Sequence, residues 1–214
     1  MSEMSAMLKD LKIVGGELCL DFANTVSWRR DGDFGNHLYD YADLIAWGVH
    51  VKALDEMLAD TLRNRAASHP KLAQAAYNRA IALREAIYRI FSSISAGDSI
   101  RKSDLTRLNV SLATALKHLR IVNRREIFVP DWHEVEGKLD LPSWTAARSA
   151  ADLLASERLP RVHECQGQDC GWLFLDQSRN HSRRWCDMAD CGNREKARRN
   201  YARKRGAATT SKGS

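Results

Sequence analysis

The sequence predicts a mainly α (α+β) protein, in which a helical N-terminal domain with a few short strands precedes a small cysteine-rich finger that ends in a basic helix. Three observations predict this fold class. Apolar residues recur at steps of three and four over residues 72–94, which is typical of a long helix with one buried face. Four of the five cysteines lie between residues 165 and 191, in two close pairs. The excess of positive charge lies after residue 160.

The composition is that of an ordinary globular chain. Its 214 residues are 44% hydrophobic and 28% charged, which excludes disorder over the whole length because enough apolar surface is available for burial. The longest uncharged apolar stretch, over residues 44–51, is far shorter than the ~18–20 residues of a membrane span. The first sixteen residues contain acids and no continuous apolar run, so we expect no secretory signal, no membrane contact and a cytoplasmic location.

The N-terminal elements begin after a pair of glycines. Residues 17–26, ELCLDFANTV, alternate apolar and other side chains and predict a short strand. A loop rich in Asp and Gly over residues 31–35 follows. Asp40 is then placed to cap a helix whose apolar face contains Leu44 and Trp47.

Three longer helices are expected next. The first covers residues 52–67 and stops before Pro70, because a residue that precedes proline resists the helical conformation. The second follows the apolar stripe of residues 72–94 and ends at Gly97, with Arg79, Arg84 and Arg89 lying off the stripe. The third begins at Ser103 and places a row of leucines on one side.

The remainder of the N-terminal domain is predicted as a hairpin and a last helix. The runs HLRIV and REIFV flank Asn123 and Arg124 and resemble two short strands. Ser143 is a suitable cap for a helix that continues towards Arg158. We therefore expect a helical domain over residues 1–160, a finger over residues 161–205 and a disordered tail over residues 206–214.

The charge distribution indicates a basic module at the C-terminal end. The net charge of +6 is not spread evenly, since residues 1–160 contain 21 basic and 21 acidic residues, whereas residues 161–214 contain 12 and 6. Such asymmetry is typical of a module that meets a polyanion. The alternative interpretation is a basic tail that only improves solubility.

The cysteine spacing predicts a structural zinc site. Cys19 lies in an apolar run and is expected to be a small buried residue. The other four form C-x4-C, a gap of fifteen residues and C-x4-C, a treble-clef or zinc-ribbon-like pattern whose ligands are Cys165, Cys170, Cys186 and Cys191. Four thiolates complete a tetrahedron and leave no open position, so we expect one structural Zn²⁺ per chain and no zinc catalysis. His163 and His181 are the alternative ligands.

The fifteen-residue gap and the segment after it have distinct expected structures. Residues 172–175 should form a strand, and the chain should return through a polar turn to Trp185 as a short hairpin. Asn193 should cap a helix over residues 194–205, in which seven of twelve residues are basic. A helix that is polar on almost every side has little apolar surface to bury, so it should project from the finger into solvent. A projecting basic helix is suited to insertion between two phosphate backbones.

The candidate DNA contacts are the basic residues of the finger and its helix. For Arg183 and Arg184, the alternative interpretation is that they neutralise the negative zinc–thiolate centre. The full set is Arg179, Arg183, Arg184, Arg194, Lys196, Arg198, Arg199, Arg203, Lys204 and Arg205.

A second candidate site lies in the N-terminal domain. Asp21, Asn24 and Thr25 are polar residues within an apolar segment. In one interpretation they line a pocket for a small ligand, with Arg148 as the buried partner of Asp21. In the other they satisfy backbone groups where a strand turns into a loop, as Asn and Asp commonly do.

These residues resemble a known combination of two families. The tetrad of Cys191, Gly192, Asn193 and Arg194, together with the segment GWLFLDQSRNHSRRWC, resembles the CGNR zinc finger. The N-terminal part is similar to the ABATE domain that precedes this finger, on the segments LCLDFANT, YADLIAWG and ARSAADLL, which start at Leu18, Tyr41 and Ala147. The resemblance implies a bacterial, stress-induced transcription regulator whose finger binds DNA, and it supplies no catalytic residues.

The expected function is therefore DNA-binding transcription regulation, with an N-terminal domain that senses a small-molecule effector or mediates homodimerisation. An RNA-binding or ribosome-associated zinc ribbon and a protein-interaction adaptor are the alternatives, because a basic helix serves each of them. We do not expect an enzyme, since the sequence contains no recognisable acid–base or nucleophile constellation.

Overall fold

The computed structural model describes residues 11–30 and 35–210, with the side chains of residues 204 and 206–210 left out. This part of the chain contains seven α-helices and three antiparallel two-stranded sheets, which confirms the predicted fold class. The helices are α1 (Leu18–Ala23), α2 (Tyr41–His50), α3 (Glu56–Ser68), α4 (Pro70–Ala96), α5 (Lys102–Leu116), α6 (Leu141–Leu154) and α7 (Asn193–Thr210). The strands pair as β1 (Val26–Ser27) with β2 (Gly35–Asn36), β3 (Leu119–Arg124) with β4 (Ile127–Trp132), and β5 (Val162–Glu164) with β6 (Leu173–Leu175).

The long helix α4 packs against α1, α5, α6 and β5, and its apolar stripe lies in the core as predicted. It ends where Gly97 adopts a left-handed conformation with φ of 76°, which glycine tolerates without a steric penalty. The Gly97 amide donates to the Ile94 carbonyl and the Asp98 amide to the Ser93 carbonyl. One exception to the stripe is Leu72, which lies in the first turn and is half exposed.

The predicted strand over residues 17–26 is wrong, because residues 18–23 form helix α1. Alternation indicates a strand only where every second residue faces solvent. Here Cys19 and Asp21 are as deeply buried as Leu20 and Phe22, since α1 is enclosed by α4, α6 and β6. The amides of Leu20 and Asp21 both donate to the Glu17 carbonyl at 3.0 Å, which starts the helix.

Capping residues explain the other helix boundaries. Asp40 accepts a hydrogen bond from the Asp43 amide, so its predicted capping role is confirmed. Helix α3 begins later than expected because Asp55 caps it by accepting from the Leu58 amide. The predicted capping role of Ser143 is wrong, because α6 starts at Leu141 and the Ser143 hydroxyl, inside its first turn, donates to the Asp140 carbonyl at 2.8 Å. The helix ends at Leu154, short of the predicted Arg158.

The predicted hairpin forms between β3 and β4, although its turn lies two residues later than expected. Asn123 and Arg124 belong to β3, and the turn consists of Arg125 and Glu126, with φ of 52° and 68°. Positive φ at both central residues is the geometry of a type I′ turn, which suits the twist of two paired strands.

The finger shares the core of the N-terminal domain. Val162, Leu173 and Leu175 are buried in the same cluster as the helices. Strand β6 pairs with β5, and not with the chain that returns to Trp185, so the predicted hairpin within the cysteine gap is wrong. Strand pairing therefore places the first cysteine pair in the loop between β5 and β6.

The C-terminal helix is longer than predicted. Helix α7 continues past Arg205 to Thr210, into the expected disordered tail, and residues 211–214 lie outside the described part of the chain. The N-terminal residues 1–10 and the central part of the predicted loop, residues 31–34, also lie outside it. None of the helices that the structure describes is sufficiently long and apolar to cross a bilayer.

Candidate zinc centre and basic helix

The four predicted ligands converge on one point. The sulfur atoms of Cys165, Cys170, Cys186 and Cys191 all lie within 4.8 Å of one another, and all four residues are buried. The Sγ atoms of Cys170 and Cys186 are 3.6 Å apart, and those of Cys186 and Cys191 are 3.7 Å apart. Zn–S bonds of ~2.3 Å in a tetrahedron require S–S distances of about 3.8 Å, so the site fits one structural zinc with four thiolate ligands.

The first cysteine pair is held by a loop that is tightly packed around Gly167. A Cβ atom at this position would lie 3.3 Å from the Cβ of Cys170 and 3.4 Å from the Sγ of Cys191. Cys165 accepts hydrogen bonds from the amides of Gly167 at 3.4 Å and Cys186 at 3.3 Å. Hydrogen bonds from the neighbouring cysteine thiols hold the pKa of Cys165 well below its usual range. The two amides that point at Cys165 Sγ therefore stabilise negative charge on a sulfur that faces the centre of the cluster.

The second pair spans a π-helical turn, Met188–Gly192, whose start is capped by Asp187. The Asp187 carboxylate accepts from the Ala189 amide at 2.8 Å. A Cβ atom on Gly192 would lie 2.5 Å from the Met188 sulfur, so only glycine fits without a shift. Asn193 is the first residue of α7 and not its N-cap, because its backbone is already helical, with φ of −70° and ψ of −40°. Its side-chain amide donates back to the Ala189 carbonyl at 3.0 Å.

Three of the predicted DNA-contacting arginines hold the finger together. Arg183 donates to the carbonyl oxygens of Trp185 and Cys186, and its guanidinium lies 4.6 Å from the centre of the Phe174 ring. Arg184 donates to the Gln166 side chain at 2.6 Å. Arg194 donates to Cys191 Sγ at 3.1 Å and forms an ion pair with Asp190 at 3.1 Å. Of these three, Arg194 alone contacts a ligand sulfur, whereas Arg183 and Arg184, the residues for which neutralisation of the centre was considered, donate to carbonyl and amide oxygens of the finger.

The remaining cations are presented by α7 and the polar turn before it. Helix α7 is about 27 Å long, and the described side chains of residues 193–203 and 205 are exposed except for Glu195, which is partly buried. Arg198 and Arg199 both pair with Glu195, at 2.5 and 3.3 Å. By helical spacing, Arg198 and Arg205 lie on one side and Lys196, Arg199 and Arg203 on the other. Arg179 is exposed on the turn, and the side chain of Lys204 lies outside the description.

Comparison with known protein families accounts for both parts of the chain. Residues 161–204 match the CGNR zinc finger, and residues 16–157 match the family ABATE, which is described as "putative stress-induced transcription regulator". The chain belongs to the ABATE family. The resemblance in the sequence is thereby confirmed, and neither description names a catalytic activity. A search of curated proteins gave no match.

The predicted ligand site is part of the joint between the ABATE domain and the finger. Asn24 is 1% exposed, its side-chain amide donates to the Leu173 carbonyl and its oxygen accepts from the Leu173 amide, both at 2.8 Å. Asp21 accepts from the Gly15 amide at 2.7 Å, and the Thr25 hydroxyl donates to the Phe22 carbonyl at 2.8 Å. The geometry therefore supports the interpretation that these side chains satisfy backbone groups.

The expected pair of Asp21 and Arg148 does not form among the described residues. Arg148 lies on α6, where its nearest carboxylate is Asp152 at 3.5 Å, one turn along the same helix. Burial raises the pKa of Asp21 to about 6, because two backbone amides oppose that penalty only in part. Asp21 is therefore compensated by amides of the chain before α1 and not by a cation.

Further contacts between the ABATE domain and the finger were not predicted. Lys12 pairs with Asp187 at 2.6 Å, and the Arg194 guanidinium lies 4.8 Å from the centre of the Trp28 ring. Arg30 pairs with Glu164 at 2.7 Å. A small cavity of about 80 Å³ lies between the two parts beside the second cysteine pair. One local pattern could have indicated these contacts: a large aromatic residue and two cations, Trp28, Arg29 and Arg30, stand next to one another in a predicted loop.

Proposed function

We propose that this ABATE-family protein is a DNA-binding transcription regulator that inserts α7 into the major groove. The observation that carries the proposal is the exposure of α7 over the described side chains from residue 193 to residue 205, apart from the partly buried Glu195, with cations on two opposite sides. The coarser function, regulation of transcription, is supported by the family description. In this proposal the protein acts in the bacterial cytoplasm, and it acts by binding DNA and not as an enzyme.

The two-sided charge of α7 favours duplex DNA over RNA. The major groove of B-DNA is ~12 Å wide and admits one α-helix, and phosphates line both of its walls. Lys196, Arg199 and Arg203 would then meet one backbone, while Arg198 and Arg205 would meet the other. An A-form RNA helix has a deep and narrow major groove that excludes such an element.

The other candidate contacts divide into two roles. Arg179 and Arg184 are exposed on the finger, where they can reach the flanking phosphates, and Lys204 continues the basic run of α7. Arg183 and Arg194 are held by finger groups, so we assign them to positioning α7 and the second cysteine pair. This division separates residues whose loss weakens binding from residues whose loss disturbs the finger.

The test is a salt titration of binding to a labelled random-sequence duplex. For the intact protein we expect a log–log slope of roughly −4 to −6, since each neutralised phosphate contributes about −0.9. Replacing Lys196, Arg199 and Arg203 with Gln should make the slope shallower by about 2.7, because three phosphate contacts are lost.

The matched control removes the same charge from elsewhere. Lys71, Lys102 and Lys117 are exposed on the helical domain, so their replacement by Gln should leave the slope within about 0.5 of the unmodified value. Equal slopes for both triple variants would show that net charge alone binds DNA and would overturn the role of α7. Tighter binding to structured RNA than to the duplex at matched salt would favour the RNA-binding alternative.

A further inference from the structure

The β3–β4 hairpin projects from the helical domain. Within the described residues each strand has the other as its main backbone neighbour, and three large apolar side chains on the two strands are mostly exposed. Ile121 is 65% exposed, Ile127 66% and Phe128 71%. Trp132 anchors the base of the hairpin on Trp144 of α6, with ring centres 5.7 Å apart, but the rest of a two-stranded ribbon is only marginally stable in water, so an additional strand would stabilise it.

The two edges of this hairpin differ in their capacity to accept another strand. Residues 124 and 127 flank the two-residue turn and form a hydrogen-bonded pair, so the alternation of an antiparallel ladder makes Ile121 and Pro130 a non-hydrogen-bonded pair. The nitrogen of Pro130 therefore faces outwards from β4 and carries no hydrogen, which blocks that edge. The outward groups of β3 are the amides and carbonyls of Leu119, Ile121 and Asn123, which form an open edge.

The two faces of the hairpin also differ in charge. Arg120 and Arg124 lie on one face, where both contact Asp131, at 3.8 and 2.9 Å. The opposite face carries no charged residue and consists of Leu119, Ile121, Asn123, Phe128, Pro130 and Trp132. The arginines are thus already paired within their own hairpin, and a neighbouring strand would meet an uncharged face.

We propose that a second copy of this chain adds its own β3 to the open edge and forms a four-stranded antiparallel sheet across a two-fold axis. With the axis at Ile121, this residue faces Ile121 of the second copy, and Leu119 faces Asn123. Arg120 faces Val122, so the six strand residues bring no like charges directly opposite each other. Because the β4 edge is blocked by Pro130, the pairing closes at two copies and does not continue into a fibre.

The dimer should be reversible, because one six-residue strand buries much less than the ~800 Å² per partner of a standard interface. Sedimentation velocity over about 1–200 µM, the range of weak interfaces, would measure its dissociation constant. The replacement Ile121→Lys places two like charges on the axis and should raise that constant at least about tenfold. Ile127→Lys is the matched control, since Ile127 is equally exposed but lies on the other strand and face.

A second measurement identifies the edge. Hydrogen exchange followed by NMR should show that the amides of Leu119, Ile121 and Asn123 become protected as the protein concentration rises, whereas the amides of residues 120, 122 and 124 do not change. A monomer at every concentration, an equal effect of the two lysine variants, or protection confined to other residues would each overturn the proposal. None of these measurements involves DNA, so a failure here is distinguishable from a failure of the proposed function.

Discussion

The side chain of Asn24 should be required for the stability of the whole molecule. Its amide and oxygen form the two 2.8 Å hydrogen bonds to the Leu173 backbone, and Leu173 is fully buried. The variant Asn24→Ala leaves one buried amide and one buried carbonyl without a partner. Each unsatisfied group costs about 1–3 kcal/mol, so we expect the free energy of unfolding to fall by about 2–5 kcal/mol.

Urea denaturation of the zinc-loaded protein measures this loss. With a urea dependence of about 2 kcal/mol per M, the midpoint should fall by about 1–2.5 M. Far-ultraviolet circular dichroism reports the helices, and tryptophan fluorescence reports the six tryptophans of the chain, of which Trp172 and Trp185 lie in the finger. The two transitions should coincide, because α1 and β6 belong to one core.

The control is Asn109→Ala, which removes an exposed asparagine from α5 and should change stability by less than about 0.5 kcal/mol. A loss for Asn24→Ala no larger than that of the control would refute the reasoning. Two separate transitions in the unmodified protein would also refute it, since they would show that the finger and the helical domain unfold independently.

Three further predictions concern the protonation of Asp21, the removal of zinc and the role of Arg183. Burial raises the pKa of Asp21 to about 6, so the stability that this residue contributes is fully present below about pH 4 and is lost as the pH rises through 6. In Asp21→Asn, pH-dependent urea denaturation should show a slope between pH 4 and 6 smaller than in the unmodified protein. Chelation of zinc should abolish DNA binding in a mobility-shift assay and lower the melting temperature, while added Zn²⁺ should restore both. Arg183→Ala should lower the melting temperature and Arg179→Ala should not, because only Arg183 bonds the second cysteine pair; equal melting temperatures would contradict this assignment.

The zinc ligands could be predicted from the sequence because coordination chemistry limits the arrangement. Two close cysteine pairs have few uses other than one tetrahedral ion, so spacing alone identified the four ligands. Helix α4 could be predicted equally well, since apolar residues that recur every three and four positions over its length indicate a helix with one buried face. Both predictions depended on local patterns.

The errors arose where burial came from distant parts of the chain. The alternation in α1 was accidental, because its polar residue Asp21 is buried together with its apolar ones. Arg84 lies off the apolar stripe of α4, yet its side chain is only 5% exposed and pairs with Glu85. Similarly, β6 pairs with β5 and rests on α1, contacts that no local pattern in the cysteine segment encodes.

The contacts between the ABATE domain and the finger limit how the finger could be exchanged between proteins of this architecture. A finger exchanged at residue 160 would arrive without Asn24, Val26 and Trp28, which supply contacts to Leu173, Trp172 and Arg194. A functional transplant would therefore have to carry the segment of residues 15–30 together with the finger, as two separate pieces of chain. Divergence between paralogues should accordingly proceed by paired changes on both sides of the joint, and chimaeras built from the C-terminal piece alone should fold poorly.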